Sequence, residues 1–109
     1  MSSWIYLAIA IVLEVAGTTS MKLSDGFSKA LPSTAMILFY IASMAALTMA
    51  LKRIDMSIAY AIWAGAGVSL ITIIGVFLFR EEFSVVKLVS ILLIVVGVVG
   101  LHLSNSAEG

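Results

Sequence analysis

The stretch "IAIVLEVAGTTSMK", residues 9–22, decides the fold. It is apolar up to its hydroxyl residues and closing lysine, except for Glu14 near the middle. The whole chain has the same character: 109 residues, 62% hydrophobic and 11% charged. Soluble domains carry roughly a quarter charged residues, whereas long apolar runs belong to membrane-spanning chains. A span of this kind takes an acidic residue at its centre only against roughly 2.5–3.5 kcal/mol on insertion scales. Glu14 therefore needs a reason.

Working outward, charges divide the rest of the chain into apolar stretches at about 4–21, 31–51, 57–79 and 85–103. A helix crosses the hydrocarbon core with about 17–25 apolar residues. The fourth stretch reaches that length if Lys87 snorkels to the interface. Backbone groups in lipid must be satisfied within the segment, so these are helices, and the class is an all-α membrane protein with four transmembrane helices. The opening "MSSWIYLAIAIVLEVAG" reads as a retained span, since it lacks a basic n-region and a clear cleavage site. Trp4 and Tyr6 read as interfacial anchors. The connections "KLSDGFSKA", "KRIDM" and "REEFSVVK" are short. Asp25-Gly26 marks a turn, and Pro32-Ser33 a helix start. The polar residues 104–109 are expected to lack structure. Residues 1–109 thus form one four-helix transmembrane domain.

The net charge is zero and there is no cysteine. A nucleic-acid-binding patch, disulfides and thiolate metal sites are set aside on that ground. A single histidine, His102, does not make a metal cluster in one chain. With no nucleophile–base constellation, an enzyme is disfavoured, and no cofactor is implied. His102 lies near a span end and reads as interfacial. Lys22, Lys29, Arg80 and Lys87 occupy the first and third loops, against Lys52 and Arg53 in the second. That bias fixes orientation only weakly. A chain inserting both ways can form an antiparallel dimer, which would supply an inverted repeat that the sequence lacks.

Buried acids in spans face the protein interior and mark ion or substrate paths, or else sit protonated and hydrogen-bonded to a neighbouring helix. Leu7, Ala10, Ile11, Gly17, Thr18 and Met21 share the Glu14 face by helical spacing. Ala10 and Gly17 fit either close helix packing or room beside the carboxylate. Thr18 offers a hydroxyl one turn away. A carboxylate deprived of water holds its proton more tightly, so a proton and a cation compete for the same oxygens. That competition suffices for exchange if the site opens to one side at a time. No span buries an Arg or Lys, which argues against an anionic ligand. Tyr60 and Trp63, three apart in "AYAIWAGAG", and Tyr40 in the second span offer aromatic faces to an organic cation. Trp63 lies too deep for an interfacial belt. Gly65 and Gly67 permit a kink or a close helix crossing. Gly97 and Gly100 suit a dimer seam.

These features together resemble the small multidrug resistance family of bacterial exporters. The likeness covers nearly the full length. It rests on "EVAGTTSMKLSDGF" around Glu14, on Pro32-Ser33 and on "IAYAIWAGAG". The resemblance implies a proton-coupled antiporter of small organic cations, working as an antiparallel, dual-topology homodimer in the bacterial inner membrane. It makes Glu14 the shared proton and substrate site. Tyr60 and Trp63 stand beside it, and Tyr40 and Ser43 match second-helix pocket positions; Ala10, Ile11, Gly17 and Thr18 join the expected pocket through helical spacing around Glu14. Gly65 and Gly67 match the third-helix kink, and Gly97 the fourth-helix seam. Ser90 stands where related exporters often carry glycine. Guanidinium exporters of the family often carry Trp one turn after the Glu; Gly17-Thr18 occupies that turn here, which resembles the branch exporting lipophilic and quaternary ammonium cations. The alternatives are a guanidinium-type exporter, a member of a paired heterodimer, a passive channel, or a small non-transporting membrane subunit.

Overall fold

The computed structural model describes residues 2–108, with side chains described through Ser104. Its elements are the helices α1 (Ser3–Leu23), α2 (Ala30–Ala50), α3 (Met56–Leu78) and α4 (Val85–Glu108). All four are long and apolar enough to cross a membrane. The protein is an all-α membrane protein. The expected spans correspond to these helices, with Leu51 and Phe79 as C-caps. The backbone of α4 is helical to Glu108. Adding a residue to a formed helix gains a hydrogen bond without a new nucleation step, so a helix can outrun its apolar stretch. Gly109 lies outside the described residues.

Local chemistry sets the helix ends. The Ser2 hydroxyl accepts the Trp4 N–H at 3.1 Å and starts α1. Ser24 ends it, its buried hydroxyl donating to the Met21 carbonyl at 2.7 Å and accepting the Phe27 N–H at 3.3 Å. Asp25, Gly26 and Phe27 follow in the left-handed region, at φ 49°, 69° and 68°. Pro32 falls in the first turn of α2, where its missing N–H leaves no helical bond unmade. At the end of α3, Arg80 is left-handed (φ 56°), and the Phe79 and Glu81 N–H groups both return to the Gly75 carbonyl. The Ser84 hydroxyl caps α4 by accepting the Lys87 N–H at 3.1 Å. The Lys87 ammonium turns back out of the helix to the Glu82 carbonyl at 2.8 Å, the outward reach expected of a snorkelling lysine.

α1 packs against α2, and α3 against α4. The chain accordingly divides into two compact units, Met1–Ile54 and Asp55–Gly109. In the first unit, Leu7, Ala10, Ile11, Val15 and Gly17 are buried on α1, and Met36, Ser43, Ala46 and Ala50 on α2. Both sets follow helical spacing, so each helix commits one stripe. Several of these residues are small, which lets two backbones approach closely where lipid supplies no hydrophobic drive. In the second unit, a Cβ at Gly65 would stand 2.6 Å from Val98 Cγ2. Gly65 is thus a close crossing of α3 with α4. Gly67 is also buried, and α3 runs unbroken through both glycines. Among its described side chains, α4 has none that is buried.

Candidate functional site

Glu14 lies one turn before Thr18 on α1, and spacing of four brings the two side chains together. The Thr18 hydroxyl donates to Glu14 Oε1 at 2.8 Å. The Tyr40 hydroxyl of α2 lies 2.7 Å from the same Thr18 oxygen. Glu14, Thr18 and Tyr40 are all half-buried. Three oxygens from two helices thus form one line.

Gly17 makes the line possible. A Cβ there would sit 2.8 Å from both Cδ1 and Cε1 of Tyr40. Carbon atoms in contact prefer about 3.5–4.0 Å. The Tyr40 ring therefore crosses α1 over the one residue without a side chain, and its hydroxyl reaches the next residue, Thr18. Gly17 thus packs closely against Tyr40, and that packing brings the Tyr40 hydroxyl to Thr18. Ala10 is fully buried in the same seam. The Ser43 hydroxyl donates to the Ala10 carbonyl at 2.7 Å and is itself fully buried. Ser43, Ala10 and the buried Ile11 thus pack the hairpin behind the carboxylate, and the Ser43 hydroxyl is already engaged.

Tyr60 and Trp63 belong to the second unit. Tyr60 is 68% exposed and Trp63 half-buried. On α4, Ser90 and Gly97 are exposed, and a Cβ at Gly97 or Gly100 would meet nothing within 4 Å. Ser69, which the sequence reading did not single out, donates to the Gly65 carbonyl at 2.8 Å. Such back-bonding often bends a helix. Its signal was a serine four residues after a helical glycine.

A groove of about 390 Å³ also lies in the second unit, lined by Ser69, Thr72, Ile73, Val76, Phe77, Phe83, Leu88 and Ile91. Its two hydroxyls are engaged by their own backbone, Ser69 at Gly65 and Thr72 at Val68. Without a charge or a free polar group, the groove suits hydrocarbon rather than a cation. Among the described residues, the line through Glu14, Thr18 and Tyr40 is where a carboxylate and two hydroxyls from two helices meet.

The sequence profile of the Small Multidrug Resistance protein family matches residues 2–94. The chain belongs to the small multidrug resistance family. Members resemble it along almost their whole length. An uncharacterized membrane protein, YvaE, of Bacillus subtilis is 54% identical, over 93% of this chain and 85% of its own. The multidrug resistance protein EbrB of the same organism is 42% identical, over 97% of this chain and 91% of its own. The quaternary ammonium compound-resistance protein QacC of Staphylococcus aureus is 40% identical, over 96% of this chain and 98% of its own. Small multidrug resistance proteins are transporters, and this chain is a bacterial-type multi-pass membrane member of the family.

Proposed function

We propose that this protein is a proton-coupled antiporter that exports lipophilic or aromatic organic cations, quaternary ammonium compounds among them. The observation that carries the reading is the mid-helix carboxylate of Glu14, which accepts from the Thr18 hydroxyl, itself bonded to the Tyr40 hydroxyl, within a hairpin long enough to span the membrane. A lone acid in a span binds either a proton or a cation, and each lowers affinity for the other by the same factor. Alternating exposure of that one group to the two sides yields exchange. The names of EbrB and QacC support the choice of cargo.

The family resemblance assigns Tyr60 and Trp63 to the aromatic part of the substrate site, where cation–π attraction adds to charge. It assigns Gly65 and Gly67 to a bend in α3. The working unit is an antiparallel homodimer of dual topology in the inner membrane. The open small-residue face at Gly97, with Ser90 two turns earlier, supports α4 as its seam. Purified protein in liposomes tests the whole reading. Under an inward-acidic proton gradient, uptake of benzyltrimethylammonium or tetraphenylphosphonium should exceed that of guanidinium, and each should drive counterflow of protons. Proton-independent leak, or preference for guanidinium, would overturn it.

A further inference from the structure

The hydrogens in the Glu14–Thr18–Tyr40 line are assigned by valence. Thr18 has one hydroxyl hydrogen, which goes to Glu14 Oε1. An ionised carboxylate can only accept. The Tyr40 oxygen lies 2.7 Å from Thr18 Oγ1, which has no second hydrogen to give, so Tyr40 must donate inward. Its oxygen is then left with only lone pairs for anything else. A proton placed on Glu14 Oε1 reverses the line. Glu14 donates to Thr18, the Thr18 hydrogen rotates to Tyr40, and the Tyr40 hydrogen rotates away from both. Once the proton has arrived, these are hydroxyl rotations in which no O–H bond breaks.

We infer that Thr18 is a positioning residue that transmits the protonation state of Glu14 to the Tyr40 hydroxyl. Tyr40 presents an acceptor when Glu14 is ionised and a donor when it is protonated. The inference rests on the exchange reading above and adds a second discriminating group to it. With Glu14 ionised, a cation carrying N–H meets a Tyr40 oxygen whose lone pairs are free and whose hydrogen is turned away; with Glu14 protonated, Thr18 occupies one lone pair and the outward O–H faces the cation, while a quaternary ammonium, which has no N–H, gains nothing from the reversal. No other titratable group competes from within the hairpin's helices. Apart from Glu14 and Tyr40, α1 carries only Tyr6 and Lys22, both near its ends, and α2 carries none. Gly17 is part of the device, because it lets the Tyr40 ring lie close enough for its hydroxyl to reach Thr18.

The test is carbon NMR of the full-length protein in lipid nanodiscs, labelled at tyrosine Cζ and glutamate Cδ. On titration with acid, the Tyr40 Cζ resonance should move with the same midpoint as Glu14 Cδ. Thr18→Val keeps the shape without the hydroxyl; Glu14 should still titrate while the Tyr40 response shrinks several-fold. Thr18→Ser should restore it, and Glu14→Gln should leave Tyr40 flat over the same range. A Tyr40 response unchanged in Thr18→Val, absent in the parent, or persisting in Glu14→Gln would overturn the inference. Binding supplies a second readout with Glu14 ionised. Tyr40→Phe should weaken phenylguanidinium relative to benzyltrimethylammonium by about 2–10-fold, the scale of one hydrogen bond. Thr18→Val should weaken it similarly in the parent and add nothing in Tyr40→Phe; additive losses would refute the relay. Absence of proton-driven transport alongside an intact Tyr40 response would remove the exchange reading and leave the relay standing.

Discussion

Replacing Gly17 with alanine tests the packing that the site depends on. The new Cβ would meet Tyr40 Cδ1 and Cε1 at 2.8 Å. Relief to ordinary carbon contact requires a shift of roughly 0.8 Å. The Tyr40 hydroxyl lies beyond those atoms, so a pivoting ring moves it at least as far. Its 2.7 Å bond to Thr18 would then stretch past hydrogen-bond range. Overpacking costs about 1–3 kcal/mol, and the lost bond adds about 0.5–1.5 kcal/mol. Alanine recovers about 1 kcal/mol over glycine in helix propensity. The net destabilisation should fall at roughly 0.5–3.5 kcal/mol. In a Tyr40→Ala background the clash and the bond are both gone, so Gly17→Ala should become neutral or stabilising by up to about 1 kcal/mol. Equilibrium unfolding of the four proteins of this cycle, from mixed micelles into denaturing detergent, measures both numbers. A Gly17→Ala effect of the same sign and size in both backgrounds would refute the reasoning.

Glu14→Gln should abolish proton-driven cation uptake in vesicles while the protein still folds, because the amide keeps the volume and loses the charge. Trp63→Gly should reduce affinity for bulky aromatic cations by up to about 30-fold, with a smaller loss for guanidinium, since only the former gains substantially from the ring face; equal losses in a binding titration would make Trp63 a shaping residue. Ser43→Ala should lower stability by about 0.5–1.5 kcal/mol, because it removes the bond to the Ala10 carbonyl, and should leave the transport KM unchanged, which vesicle kinetics can check. Calorimetry in buffers of different ionisation enthalpy should find one cation bound per two chains, with protons released on binding; one cation per chain would rule out a shared Glu14 pair.

The spans were legible because charge is expelled from hydrocarbon. Lys22, Lys29, Lys52, Arg53, Arg80 and Lys87 all lie near helix ends or in loops, and the stretches between them are the helices. Glu14 stood out for the same reason, as the exception. Thr18 was legible from spacing within one helix. Its bond to Tyr40 was not, since 22 residues separate the two and only tertiary packing brings them together. A glycine has no chemistry to read until its neighbour is known: Gly17 fitted packing or pocket by spacing, and Gly65 a kink or a close crossing, and neither pattern named Tyr40 or Val98 as the neighbour. Nor did spacing within α2 reveal that the Ser43 hydroxyl donates to the Ala10 carbonyl of α1. Side-chain type alone does not say which acceptor lies opposite.

The hydrogen-bonded line from Glu14 through Thr18 to Tyr40 is contained within the first helical hairpin. This has a consequence for biosynthesis. The chain emerges from the ribosome N-terminus first, and α2 follows α1 after a short turn. The acidic helix therefore does not wait for the second half of the chain before its carboxylate finds partners. Thr18 travels on the same helix, and Tyr40 arrives with the next. An acid that would resist partitioning into lipid on a lone helix can enter as part of a preassembled pair, its charge already met by hydroxyl hydrogen. Nascent chains arrested just after α2 clears the insertion channel should then integrate more fully than chains arrested after α1, and Thr18→Val should narrow that gap.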